Sequence, residues 1–72
     1  MDGAIIDSKL LKSQMALHGV SAKDLEKAQN WSPATTHRKI NGKVAFKAPE
    51  IQACVELLGL DPITAGKIFF YR

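Results

Sequence analysis

Helix punctuation constrains this chain more than any other feature. Ser8, Ser21, Ser32-Pro33, Pro49 and Asp61-Pro62 each offer a helix start, and Gly19, Asn30, Asn41-Gly42 and Gly59 each offer a stop. A Ser or Asp oxygen accepts from the free N–H groups of a first turn, and Pro at the first position has no partner there to lose. Gly, and less readily Asn, adopts the left-handed backbone that closes a helix. Val44-Ala45-Phe46 is the one strand-like run, too short to build a sheet. The segments between signals are short, so the expected fold is all-α, a compact five-helix bundle around one core.

Periodicity fills in the segments. After Ser8, the residues Leu10, Leu11, Met15, Leu17 and His18 follow at near-helical spacing. Ser21-Ala22-Lys23-Asp24 is a close variant of the capping box, which predicts a second helix over 22–29 with Leu25 and Ala28 facing inward. Asn30 and Trp31 break that helix, and Ser32 caps a third that runs to Asn41-Gly42. In the fourth, Ile51, Cys54, Val55 and Leu58 fall at i, i+3, i+4 and i+7. The fifth carries Ile63, Ile68 and Phe69. Seventy-two residues suffice for one small domain, 1–72, with 1–7 expected as a short flexible N-terminus.

Composition excludes several classes. A hydrophobic share of 46% with 24% charged residues is that of a globular chain rather than a disordered one. The single cysteine, Cys54, permits no internal disulfide or multi-Cys metal site, and it reads as a small buried hydrophobe. The N-terminus opens acidic, without the apolar run of a signal peptide, and nothing is long enough to span a bilayer, so a cytoplasmic protein without membrane contact is expected. No Ser–His–Asp set, Gly-rich phosphate loop or apolar carboxylate pair supports catalysis, and no cofactor is expected.

Charge is unevenly placed. The formal net charge is +3 and the pI about 9.3. The 23 residues from Lys27 to Pro49 contain no Asp or Glu but carry Lys27, Arg38, Lys39, Lys43 and Lys47. Such a window is either a solvated face or a contact with a polyanion that also presents base edges. Two helices joined by a turn of about three residues, the second one basic and polar outside, favour the second reading because they describe a helix-turn-helix. There the second helix lies in the major groove of DNA, with residues near its start at base edges and those at its end on phosphates.

The stretch from Leu11 to Phe70 resembles the Cro/repressor-type helix-turn-helix family of bacteriophage and bacterial transcriptional regulators. The resemblance is carried by Leu11-Lys12, His18-Gly19-Val20-Ser21, Leu25, Ser32, Phe46, Pro49-Glu50-Ile51, Leu57-Leu58-Gly59-Leu60, Ile68-Phe69-Phe70 and most strongly Arg38-Lys39-Ile40-Asn41-Gly42-Lys43. It implies a lambda-repressor-like domain that binds double-stranded DNA, at a palindromic operator, as a homodimer. The chain departs from the family pattern at Ala22, where Gln usually contacts a phosphate, and at Glu26, Gln29, Asn30 and Thr36. Those changes point to looser packing between the second and third helices, a gap that the large Trp31 is placed to fill.

The residues expected to contact DNA are Ser32, Pro33, Ala34, Thr35, His37, Arg38, Lys39, Asn41 and Lys43. Arg38 has a fork that matches guanine O6 and N7, the alternative being a phosphate contact or a free surface arginine. His37 either donates to a base or phosphate or faces solvent. Ala34 and Thr35 can touch a thymine methyl, and Ser32 is first an N-cap whose helix end can also meet a phosphate. Asn41 and Lys43 lie past the C-cap and read as phosphate contacts, while Lys39 and Lys47 supply electrostatics. The aromatic end Ile68-Phe69-Phe70-Tyr71 is expected to be partly buried and partly a weak homodimer contact. A protein-interaction module retaining the same fold, such as an antirepressor or adaptor, is the competing function.

Overall fold

A computed structural model describes residues 5–70. Five helices account for nearly all of its regular structure: α1 (Ser8–Leu17), α2 (Ala22–Gln29), α3 (Pro33–Ile40), α4 (Ala48–Leu58) and α5 (Pro62–Ile68). The caps explain why they begin where they do. Ser21 Oγ accepts from Asp24 N at 3.1 Å while Asp24 Oδ2 accepts from Ser21 N at 2.9 Å, the reciprocal pair of a capping box. Ser32 Oγ accepts from Thr35 N at 3.1 Å and Asp61 Oδ1 from Thr64 N at 2.7 Å. The first helix differs from expectation. Its N-cap is Asp7, whose carboxylate accepts from Leu10 N at 3.0 Å, and Ser8 is the first helical residue.

The stops fall where the left-handed residues are. Asn30 takes φ 58° to end α2, and Gly42 takes φ +75° beyond α3. Asn41 itself keeps φ −88°, so the closing residue of α3 is the glycine alone.

The two ends of the described chain meet. A two-residue strand β1 (Ile5–Ile6) pairs antiparallel with β2 (Phe69–Phe70), Ile6 opposite Phe69, and Asp7 N donates to Ile68 O at 2.8 Å. Of the segment 1–7 expected as a flexible N-terminus, Ile5 and Ile6 form β1 and Asp7 caps α1; residues 1–4 lie outside the described residues. Strands this short carry no alternation pattern, which is why the sequence does not announce them.

One core spans the helices and the strand pair. Leu11, Leu25, Phe46, Cys54, Ile68 and Phe69 are fully buried. Phe46 lies at its centre, edge to face with Trp31 (centroids 5.5 Å) on one side and with Phe69 (5.2 Å) on the other. Burial pushes the Cys54 thiol up to about 11, so it stays protonated and packs as a small hydrophobe.

Three residues differ from the periodic reading. Ala28 is exposed, because the buried stripe of α2 runs from Leu25 to the half-buried Gln29. Ile63 is 73% exposed, since α5 turns Ile68 inward and Ile63 lies off that stripe. Phe69 belongs to β2 rather than to the last helix. At the aromatic end, Ile68 and Phe69 are both fully buried and cannot serve as a docking surface; the Phe70 side chain and Tyr71 lie outside what is described. No helix among the described residues is long and apolar enough to cross a membrane.

Candidate functional site

The turn Asn30-Trp31-Ser32 sets the relation of α2 to α3. Asn30 N donates to Lys27 O and Trp31 N to Glu26 O at 3.0 Å, closing α2, and Ser32 opens α3 immediately afterwards. Trp31 is half-buried. Its ring meets Phe46, and its indole N–H donates to Glu50 Oε2 at 3.1 Å. Trp31 thus packs against the core and bonds to α4.

Helical geometry divides α3 into two faces. Thr36, Lys39 and Ile40 are buried, whereas Pro33, Ala34, His37 and Arg38 are exposed. Thr36 resolves the polarity problem of its position by donating its hydroxyl to Ser32 O at 2.9 Å, which leaves its methyl for the interior. Thr35 is half-buried, and its hydroxyl accepts from Ser32 Oγ at 3.0 Å, so both side chains are engaged in the cap. Beyond α3, Lys43 and Lys47 are exposed.

Lys39 departs from expectation most. It is 5% exposed, and its ammonium lies 2.7 Å from Glu50 Oε1 and 2.8 Å from Ala45 O. It also sits over the Trp31 and Phe46 rings, 5.4 and 5.9 Å from their centroids. Its charge is neutralised inside the fold, so it does not lend charge to the outer surface. Removing a cation from water is tolerated because the ammonium donates to a carboxylate and a carbonyl and lies over two ring faces.

Glu50 receives three donors on its carboxylate: Lys39 Nζ, Trp31 Nε1 and Lys47 N, the last at 2.8 Å. Burial pushes this carboxyl up, but the Lys39 ammonium, the Lys47 N–H and the Trp31 indole outweigh it and hold it below the usual range. The Glu50 carbonyl accepts from Gln29 Nε2 at 2.8 Å. Gln29 therefore ties the end of α2 to α4.

The fold also recruits residues that sequence reading left without a role. A recess beside α3 is lined by Lys12, Lys23, Ala22, Glu26, His37 and Asn41, among others. Lys12 Nζ donates to Asn41 Oδ1 at 2.6 Å, and Asn41 Nδ2 donates to His37 O at 2.8 Å. Asn41 is thereby fixed by two contacts, and two further lysines stand next to the exposed face of α3. Lys12 is 29 positions from Asn41, so only the folded topology could reveal the pairing. No protein-family model matches this sequence and no curated protein is significantly similar to it, so the resemblance rests on its quoted residues alone.

Proposed function

We propose that this protein is a sequence-specific double-stranded DNA-binding regulator of the repressor/Cro kind, with α2 and α3 as its helix-turn-helix. The observation that supports this most is the two-sided character of α3. Its inner face is held by Thr36, Lys39 and Ile40, and its outer face presents Pro33, Ala34, His37 and Arg38 with no acid in the helix. Exposed Lys43 and Lys47 follow the helix in sequence, and Lys12 and Lys23, with Glu26, line the recess beside it.

The chemistry follows from dimensions. A helix with side chains is about 10–12 Å across, and the major groove is about 12 Å wide. Seated there, Arg38 offers its fork to guanine O6 and N7, His37 offers a ring N–H, and Ala34 a methyl-sized apolar contact for thymine. Lys43, Lys47 and Lys12 meet phosphates and release counterions. Asn41, held by Lys12, positions that end of the helix rather than reading a base. One eight-residue helix reaches only a few base pairs, so two copies on a palindrome are required for a tight site. Ile68 and Phe69 are buried and take no part in such pairing, and Leu17 and Ile63 are the most exposed large apolar side chains among the described residues.

Fluorescence anisotropy on labelled random duplex, titrated over a range of salt, tests the reading. A linear fall of log affinity with log salt is expected. Absence of any binding at low salt would overturn the proposal in favour of a protein-interaction module.

A further inference from the structure

We infer that Glu50 is a positioning residue for base readout: its carboxylate sets the rotation of α3 about its own axis, and so decides which base edges Arg38 and His37 reach. This rests on the DNA-binding reading above. Glu50 stands in the first turn of α4, yet its bonds reach Lys39 in α3, Trp31 in the inter-helix turn, Gln29 at the end of α2 and the Lys47 amide. The end of α2, the inter-helix turn, α3 itself and the start of α4 therefore converge on one residue.

Lys39 is the next residue after Arg38, roughly 100° around the helix. Fixing the Lys39 ammonium therefore helps to fix the direction in which Arg38 leaves the helix, about 100° away. The other inward residues of α3 do this less well. Ile40 packs through non-directional apolar contact, and the Thr36 hydroxyl bonds within its own helix, to Ser32 O. A salt-bridged, hydrogen-bonded group has angular requirements that apolar packing lacks, and in some proteins a buried polar or ionic group specifies register where hydrophobic replacements leave stability intact.

The consequence for recognition is one of scale. Rotating α3 by about 15° carries a group about 6 Å from its axis through roughly 1.5 Å. Base-edge hydrogen bonds form only over about 2.7–3.2 Å between heavy atoms, so that displacement breaks a bidentate contact. Attraction to phosphates falls off far more slowly with distance. Loss of the Glu50 cluster should thus weaken discrimination while sparing general affinity for DNA.

The test uses the variant Lys39→Met/Glu50→Met, which removes one cation and one anion and leaves net charge unchanged, beside Glu50→Gln, which keeps the shape and part of the acceptor capacity. The probes are a pool of random duplexes and the duplex that the wild type enriches from it. For the double variant, pool affinity is expected within about twofold of wild type. The ratio of enriched-duplex to pool affinity should fall about tenfold, the scale of one lost base contact. Glu50→Gln should lie between the two. Residual dipolar couplings of the α3 amides, measured without DNA, should report a changed α3 orientation relative to α4, with a melting temperature within about 5 °C of wild type. An unchanged ratio with unchanged couplings overturns the inference, as does a parallel loss of pool and enriched affinity with a collapsed melting temperature in both variants. If the wild type enriches no duplex, the DNA reading falls by itself, and the couplings alone decide the positioning role, an unmoved α3 refuting it.

Discussion

Phe46 and Phe69 touch edge to face, yet they belong to regions held by different chemistry. The Phe69 side, where β1, β2 and α5 meet α1, coheres by burying Ile6, Leu11, Ile68 and Phe69, with backbone bonds closing the strand pair. The Phe46 side meets Trp31, and behind it stands the polar cluster of Lys39, Glu50, Gln29 and the Ala45 carbonyl. The apolar end is tolerant of pH and salt, non-directional and suited to joining the chain ends. The polar end is directional and pH-sensitive, and it lies directly behind the helix proposed to read DNA. Stability and orientation are thus assigned to opposite halves of one small core.

The comparison breaks first at its apolar end. Phe69→Ala removes a fully buried ring, and about 3–5 kcal/mol of stability should go with it, which urea titration would read as a large drop in midpoint. Chains of this size have little stability to spare, so partial unfolding in buffer is the expected outcome. A loss below about 1 kcal/mol would mean that the core does not rest on this ring.

Glu50→Ala comes next. It strands a 5% exposed ammonium and leaves the Trp31 indole without its acceptor, for about 2–4 kcal/mol. The pH dependence sharpens the contrast. The Glu50 carboxyl is held below its usual 4.5 in the folded state, so its contribution is fully present above about pH 4.5 and is lost as pH falls through the lower folded value. Wild type should therefore lose stability on acidification in that range, and Lys39→Met/Glu50→Met should lose less over the same interval. Thermal melts at several pH values on both proteins check this, and identical pH profiles would remove the cluster from the account.

Arg38→Ala changes no buried group. Stability should hold to within about 0.5 kcal/mol, while specific DNA affinity falls by about 1–3 kcal/mol and preference relaxes at one base pair per half-site. Equal losses on cognate and random duplex would move Arg38 to a phosphate role. Smallest are Lys43→Ala and Lys12→Ala, each expected to flatten the salt dependence by about one counterion with little change in sequence preference. An unchanged slope for Lys12→Ala would confine its contact to Asn41.

Much of this architecture was open to reading from the chain because helix caps are local. Ser21 with Asp24, Ser32 with Pro33, and Asp61 with Pro62 act within one turn, and all three form as the spacing suggests. The inward positions Leu25, Cys54 and Leu58 follow from the same local periodicity. What stayed hidden depends on separation along the chain. The strand pair joins Ile6 to Phe69 from nearly opposite ends, and two residues show no alternation. Lys39 looks like one more surface cation in a basic window, because its partner Glu50 stands just past the window, beyond an intervening loop. At the candidate site, the exposed placement of His37, Arg38 and Lys43 agrees with the sequence reading, whereas the inward turn of Lys39 and the approach of Lys12 could only come from the fold.

Selection of bound duplexes from a random pool, performed in parallel with wild type and Arg38→Ala, tests the central claim most directly. The account predicts that wild type enriches a palindrome with half-sites about one helical turn apart, and that Arg38→Ala loses one base-pair preference symmetrically in both halves. A pool that emerges unenriched, or an enriched sequence identical for both proteins, would contradict readout through the outer face of α3.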